Sequence, residues 1–192
     1  MSRRRRATDA PLLDWGAAQP SARALRSQLV RRMAITGAGI AAVLVSAALP
    51  PAPRLVWNAS ASAPVGLYTI MPGAWVEPGD MVLAWPPARY RRLAAGRRYL
   101  PINVPLVKRV AAYGGDKVCA RGQQIFVNGR KAAVRRSVDG KGRPPPTWSG
   151  CVRLHGRQLF LLNDNPASFD GRYFGVTDGQ DVIGTARLLW RR

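Results

Sequence analysis

Histidine and cysteine are almost missing from this sequence, which has one His and two Cys among 192 residues. A structural zinc site needs four ligands, usually from these residue types, and His155 with Cys119 and Cys151 supplies only three. A lone histidine also gives little support to a Ser–His–Asp triad, so we interpret His155 as a surface residue in a turn. We therefore expect no metal and no cofactor.

Acidic residues are also few: ten Asp and Glu stand against thirty Lys and Arg, for a formal net charge of +20 at pH 7. Such an excess is typical of proteins that bind nucleic acid or anionic membranes. The arginines are spread along the whole chain, however, so the charge does not by itself identify a binding face. The length allows one ordinary domain with an extension.

Charged residues are absent from one run, residues 33–53, which is long enough to cross a bilayer. The preceding residues, 1–32, contain eight arginines and only two aspartates. The positive-inside rule then puts the N-terminus in the cytoplasm and the rest of the chain outside. We predict a basic cytoplasmic tail over 1–32, a transmembrane anchor over 33–53 and an external domain over 54–192. A buried core helix and a cleavable signal peptide with small residues at Ala47 and Ala48 are the alternatives.

The two cysteines, Cys119 and Cys151, both fall in the predicted external domain. In an oxidising compartment they could close a single disulfide. The alternative is a pair of unlinked buried thiols.

After residue 53 the sequence consists of short apolar stretches separated by Pro and Gly, a pattern that predicts a mostly β domain. The predicted strands are 66–70, 81–85, 106–110, 124–127, 159–162 and 182–189. Asn128 and Gly129 predict a hairpin, because both residues accept the positive φ of a type I′ turn. Residues 137–150, with three consecutive prolines, predict an irregular segment at the surface.

Lys108 is the candidate general base. In an extended strand it shares one face with Leu106 and Val110, while Arg109 lies on the other. If the Lys108 face is buried, desolvation lowers the pKa of the amine and makes the neutral base available near neutral pH. The alternation does not decide which face is buried, so an exposed lysine remains the alternative.

Ser60 and Ser62 are the candidate nucleophiles. They are two residues apart, so they project the same way from extended backbone, and Pro64 keeps the following chain from forming a helix. Small neighbours allow a substrate backbone to approach closely. By composition alone the same stretch could be a flexible linker after the anchor.

Three blocks of this sequence, in this order, resemble the signal peptidase superfamily of Ser–Lys peptidases (family S26), and within it the TraF branch of conjugative-transfer peptidases. The blocks are Asn-x-Ser-x-Ser-x-Pro-x-Gly-x-Tyr at 58–68, Val-Lys-Arg-Val-Ala-Ala-Tyr-Gly-Gly-Asp-Lys-Val at 107–118, and Leu-Asn-Asp-Asn-Pro-Ala-Ser-Phe-Asp-Gly-Arg-Tyr-Phe-Gly at 162–175. Asn163 replaces a glycine of the family pattern and Gly171 replaces a serine. The resemblance implies a signal-peptidase-like antiparallel β domain after one N-terminal transmembrane helix.

The resemblance also implies a role for each residue of the site. Ser62 would be the nucleophile and Lys108 the general base, and the Ser60 hydroxyl would help to bind the oxyanion. Ser168 would orient the lysine amine. Asp170 and Arg172 would form an ion pair that braces the loop carrying Ser168.

By the same resemblance, the chain would be a single-pass protein of the bacterial inner membrane with its catalytic domain in the periplasm. It would process, or cyclise, an exported pilin precursor for conjugative DNA transfer, in association with the conjugative secretion apparatus. One alternative is a general signal peptidase I that removes signal peptides from many preproteins. A non-enzymatic alternative is a membrane-tethered basic module that binds nucleic acid. If the chain is a peptidase, we do not expect nucleic acid to be a partner.

Overall fold

The computed structural model describes residues 21–48 and 52–192, and the chain divides into two compact units after residue 51. The described part of the first unit, residues 21–48, contains the helix α1 (Ala22–Ala48), which has no buried residue. Helix α1 is long and apolar enough to cross a membrane. By length and composition a signal sequence would pass the same test.

Helix α1 starts eleven residues before the predicted anchor, within the segment interpreted as a polar cytoplasmic tail. Residues 22–32 contain neither Gly nor Pro, and Ala, Leu, Arg and Gln favour helix, so the helix continues through the basic segment. The Ser21 hydroxyl accepts a hydrogen bond from the Ala24 N–H at 3.3 Å, which caps the first turn. The rest of the predicted tail, residues 1–20, and residues 49–51 of the predicted anchor lie outside the described residues.

The second unit is built from two antiparallel sheets and is mostly β, as predicted. The larger sheet has the strand order β1-β2-β10-β3-β4-β9 and the smaller has the order β7-β6-β5-β8. The strands of the larger sheet are β1 (Leu55–Asn58), β2 (Gly66–Pro72), β3 (Met81–Ala84), β4 (Leu106–Ala112), β9 (Phe160–Leu162) and β10 (Val182–Arg191). Those of the smaller sheet are β5 (Lys117–Arg121), β6 (Gln124–Val127), β7 (Arg130–Val134) and β8 (Gly150–Arg153).

Three short helices lie between the strands: α2 (Ala88–Gly96), α3 (Gly171–Phe174) and a 3-10 turn at Gly179–Asp181. Helix α2 was not expected from the sequence, although its Ala, Leu and Arg residues favour helix and Pro87 precedes its first turn. The predicted strand ranges do not include β1, β5, β7 and β8, although the hairpin predicted at Asn128 and Gly129 implies a strand where β7 lies. Every residue of β8 and four of the five in β7 are exposed, so neither strand shows the alternation that marks a half-buried strand.

The predicted hairpin is confirmed at the turn between β6 and β7. Asn128 has φ 47° and Gly129 has φ 79°, the positive values that a type I′ turn requires at both central positions. One strand further, Cys119 of β5 faces Cys151 of β8 in register, and the two are joined by a disulfide.

A shared core joins the two sheets. Ala112, Phe160 and Leu162 of the larger sheet pack with Val118, Ala120 and Ile125 of the smaller one and with Leu154. Trp148 packs against this core and donates its indole N–H to the Gly171 carbonyl at 2.9 Å. The segment predicted to be irregular does lack helix and strand through residue 149, and Trp148 fixes its last part to the core.

Candidate active site

The segment that carries the two serines is an ordered turn after β1 and not a flexible linker. Asn58, at the end of β1, is buried, and its Nδ2 lies 3.0 to 3.2 Å from the carbonyl oxygens of Ser60, Ala63 and Pro64. Its Oδ1 accepts a hydrogen bond from the Ser60 N–H at 3.2 Å. The Tyr68 hydroxyl donates to the Pro64 carbonyl at 2.9 Å. These contacts hold the turn from both ends of the block.

Lys108 lies in the middle of β4 with its side chain on a buried face, and only 1% of the residue is exposed. Its Nζ is 3.1 Å from the Ser62 Oγ and 2.7 Å from the Ser168 Oγ. Arg109, the next residue, is exposed, as expected if the Lys108 face is the inner one. The alternative of an exposed lysine is therefore wrong.

Burial changes the ionisation of this amine. The pKa of Lys108 is lowered from 10.5 to about 8, mainly by desolvation. The Asp170 carboxylate raises this pKa, and the Arg172 guanidinium lowers it. A buried cation loses hydration that its neighbours replace only in part. The neutral amine is therefore available at mildly alkaline pH, which a solvated lysine would not allow.

Ser60 contacts Ser62 twice. The Ser60 hydroxyl lies 3.0 Å from the Ser62 Oγ and accepts a hydrogen bond from the Ser62 N–H at 3.3 Å. One hydroxyl and one backbone N–H thus sit beside the candidate nucleophile, where an oxyanion would need donors.

Asp170 and Arg172 form a buried ion pair at the start of α3. The Arg172 Nε donates to the Asp170 Oδ1 at 2.8 Å, and its second nitrogen donates to the Oδ2 at 3.1 Å. Both residues are at most 2% exposed. The same carboxylate accepts the backbone N–H groups of Arg172 and Asn163, each at 3.1 Å. The pair therefore closes the loop between β9 and α3, and that loop carries Ser168.

Asn163 is a site residue whose importance the sequence analysis missed. It stands where the family pattern has glycine, yet its Oδ1 accepts the Arg109 N–H at 2.9 Å and its Nδ2 donates to the Val107 carbonyl at 3.2 Å. These two backbone groups flank Lys108 on β4. The Asn163 side chain consequently fixes the strand on both sides of the buried amine.

The candidate site side chains open onto a pocket of about 260 Å³. Ser60, Ser62, Lys108 and Ser168 lie at its wall, together with the apolar residues Leu100, Leu106, Val138, Pro145, Ala167 and Phe169. Part of this wall comes from the irregular segment after β7. That contribution could not be read from the sequence, because it depends on contacts such as the Tyr99–Asp139 hydrogen bond between residues 40 positions apart.

The remaining predicted residues lie elsewhere. His155 is exposed, in agreement with its interpretation as a surface residue. The disulfide joins two strands of the smaller sheet, and neither cysteine lines the pocket. The structure thus brings Ser60, Ser62, Lys108 and Ser168 together at one pocket. Asp170 and Arg172 do not line that pocket and form their ion pair at the start of α3.

Comparison with known proteins gives consistent matches. The family described as "Signal peptidase, peptidase S26" matches residues 27–191. A plasmid transfer protein TraF from Escherichia coli is 33% identical over 181 residues, which are 86% of this chain and 99% of that protein. A conjugal transfer protein TraF from Agrobacterium tumefaciens is 33% identical over 168 residues, 81% of this chain and 93% of that one. Among solved structures, a signal peptidase I from Enterococcus faecalis covers 58% of this chain and 97% of its own, with 21% identity and a TM-score of 0.34.

Proposed function

The chain belongs to the signal peptidase family, peptidase S26, among the relatives of the TraF transfer proteins, and on this premise we propose that it is a serine endopeptidase with a Ser62–Lys108 dyad. The observation that supports the dyad is the distance of 3.1 Å between the Ser62 hydroxyl and a lysine amine that is 1% exposed. A peptidase without metal or cofactor needs a nucleophile and a base in contact, and this pair meets that requirement.

In the first step the neutral Lys108 amine accepts the proton of the Ser62 hydroxyl as the Oγ attacks the scissile carbonyl carbon. The lysine becomes an ammonium and the carbonyl oxygen becomes an oxyanion. The ammonium then gives its proton to the leaving amine as the peptide bond breaks, and an acyl ester on Ser62 remains. Ser168 accepts a hydrogen bond from the amine at 2.7 Å, so the lone pair of the neutral amine stays directed at Ser62.

The Ser62 N–H and the Ser60 hydroxyl are the proposed donors to the oxyanion. They are now hydrogen-bonded to each other at 3.3 Å, and the substrate carbonyl oxygen would exchange that contact for two of its own. Loss of one such donor typically lowers kcat by about 100- to 1000-fold. Asp170 and Arg172 contribute indirectly, as the ion pair that keeps the loop carrying Ser168 in place.

The acyl ester is released by a nucleophile that the same lysine deprotonates. With water the product is a shortened chain with a free carboxylate. With the amino terminus of the substrate the product is a ring, which is lighter by one water molecule.

The proposed substrate is an exported pilin precursor, cut beside the membrane during conjugative transfer. Support comes from the relatives, which are named for plasmid and conjugal transfer, and from α1, which could anchor the domain. We further propose that the chain spans the bacterial inner membrane once, with its basic N-terminus in the cytoplasm and the peptidase domain in the periplasm. The conjugative secretion apparatus would be its site of action.

Co-expression with a pilin precursor from the same transfer system tests the proposal. We expect cleavage with the wild-type chain and none with Ser62→Ala or Lys108→Arg, because arginine stays protonated in proteins. Ser149→Ala, at an exposed serine, is the matched control and should cleave normally. Intact mass of the product distinguishes hydrolysis from ring closure. Cleavage by purified Lys108→Arg would refute the assignment of the base.

A panel of unrelated preproteins, offered in the same experiment, separates a pilin-specific enzyme from a general signal peptidase. The non-enzymatic alternative makes a different prediction. It expects salt-sensitive DNA binding that persists in Ser62→Ala and no cleavage of any substrate.

A further inference from the structure

Two charged residues of the catalytic pocket have no part in the proposed mechanism, Arg136 and Asp139. The Asp139 carboxylate is already fully occupied. One oxygen accepts the backbone N–H groups of Lys141 and Arg143, and the other accepts the Tyr99 hydroxyl at 2.6 Å and the Arg143 guanidinium. The hydrogen bond from Tyr99, followed by those from Arg143 and Lys141, holds the pKa of Asp139 well below its usual range. Asp139 is thus a structural anion that the segment itself neutralises.

Arg136 is in the opposite situation. Within residues 21–48 and 52–192 its guanidinium forms no ion pair, and its side chain is exposed. Its backbone, in contrast, is fixed, because the Arg136 N–H donates to the Tyr173 hydroxyl at 3.1 Å. The Tyr173 ring is nearly parallel to that of Phe169, with centroids 6.3 Å apart, and Phe169 directly follows Ser168. Arg136 therefore lines the pocket from a fixed backbone position, and its guanidinium has no ion-pair partner among the described residues.

The rest of the pocket wall is mainly apolar, apart from the catalytic groups. A guanidinium at the wall of such a pocket matches one ligand chemistry above others. Its planar donors pair with both oxygens of a carboxylate, and the partly apolar surroundings screen that pair less than bulk water does.

We propose that Arg136 is a specificity-determining residue that binds a carboxylate of the substrate peptide close to the scissile bond. This inference rests on the proposed peptidase function and names a feature of its substrate. The carboxylate has two sources of identical chemistry, an Asp or Glu side chain or the free C-terminus of the substrate.

Alanine-based fluorogenic peptides test the proposal with the full-length chain in detergent. In one series a single Glu, Gln or Lys occupies each of the four positions on either side of the scissile bond. A second series compares a free with an amidated C-terminus. For one position, or for the free C-terminus, we expect kcat/KM to be about 3- to 10-fold higher with the carboxylate than with its neutral analogue, mainly through KM.

Arg136→Gln should reduce that ratio to about one, and Arg136→Glu should reverse it in favour of Lys. The matched control is Arg130→Gln, since Arg130 is exposed on β7 and does not line the pocket, and it should keep the wild-type ratio. The series that shows the effect identifies the source of the carboxylate.

The inference is overturned if wild-type protein cleaves these peptides without preferring a carboxylate, or if the preference survives Arg136→Gln. Failure of the peptidase proposal looks different, because then wild type cleaves no peptide. In that case the fluorescence anisotropy of the same labelled peptides, measured with Ser62→Ala, still tests whether Arg136 binds a carboxylate. Adding Arg136→Gln to Ser62→Ala must then weaken the binding of carboxylate peptides only. Equal binding of acidic and neutral peptides would reject the site.

Discussion

Replacing Lys108 by Met should change the pH dependence of folding in a way that only a buried amine explains. The methionine side chain has nearly the same length and no charge, so it removes the ionisable group with little change in packing. The folded-state pKa of Lys108 is lowered to about 8, while the unfolded chain has the ordinary value of 10.5. Between these two pH values the unfolded state keeps the Lys108 proton and the folded state releases it, so the contribution of this amine to wild-type stability rises with pH across that window.

The size of the effect follows from the shift. A difference of about 2.5 pKa units corresponds to about 3 kcal/mol, which the folded state loses below pH 8 and regains above pH 10.5. Between pH 7 and pH 10 the linkage relation gives about 2.5 kcal/mol of added stability for wild type and none for Lys108→Met. At pH 7 two effects of Lys108→Met oppose each other. Removal of the buried charge stabilises the variant, whereas loss of the partner of the buried Ser168 hydroxyl costs about 1–3 kcal/mol. The variant should therefore be at least about as stable as wild type.

Urea unfolding of the full-length chain in mild detergent, followed by tryptophan fluorescence, measures this difference at each pH. Other groups that titrate in the window are common to both proteins and cancel, provided that the m-values agree. Lys131→Met is the control, because Lys131 is exposed on β7 and its replacement removes no buried amine. If plots of unfolding free energy against pH for wild type and Lys108→Met stay parallel from pH 7 to pH 10, folding does not lower the pKa of the amine and the reasoning fails.

Substitutions at Ser168, at the buried ion pair and at the disulfide have different expected effects. Ser168→Ala should lower kcat by about 10- to 100-fold with little change in KM, since it removes an acceptor of about 1–3 kcal/mol from the base; steady-state kinetics on a cleaved peptide measure it, and an unchanged kcat would contradict the orienting role. Asp170→Asn should lower the free energy of unfolding in urea by about 3–5 kcal/mol, because it leaves a buried guanidinium unpaired. Asp164→Asn, in an exposed pair, is the control and should lower it by less than about 1 kcal/mol. Equal losses would contradict a stabilising role of the buried pair. Replacing both Cys119 and Cys151 by Ser should reduce the free energy of unfolding by about 2–4 kcal/mol, since the disulfide joins residues 32 positions apart. The value of kcat/KM should not change. A large loss of activity in the folded protein would show that the disulfide acts on the site.

Sequence patterns predicted the strands that alternate or are continuously apolar, and they failed where burial gives no pattern. β4 contains a predicted strand, but six of its seven residues are at least partly buried. Alternation therefore could not indicate whether Lys108 or Arg109 faces inward. The strand β8 is exposed at all four positions and has no periodic signal at all. Its place is set by pairing with β5 and by the disulfide.

The site residues were found through the spacing and order of the three blocks, not through periodicity. That information gave Ser62, Lys108 and Ser168, and the structure brings the Lys108 amine into contact with both serine hydroxyls. It gave no role for Asn163, whose side chain bonds to the backbone on either side of Lys108 across 54 and 56 positions of the sequence. It also gave no role to the segment after β7, because a pocket wall held by long-range hydrogen bonds has no local signature.

An NMR titration of the Lys108 amine measures its pKa in the folded protein. The chain has only four lysines, so ¹³Cε-labelled lysine gives four NMR signals, and Lys108→Met identifies the one that belongs to the site. We predict that this signal titrates with a midpoint near pH 8 in the full-length chain. A midpoint at the ordinary lysine value of about 10.5 would mean that the amine is not primed to accept a proton from Ser62, and the proposed mechanism would be wrong.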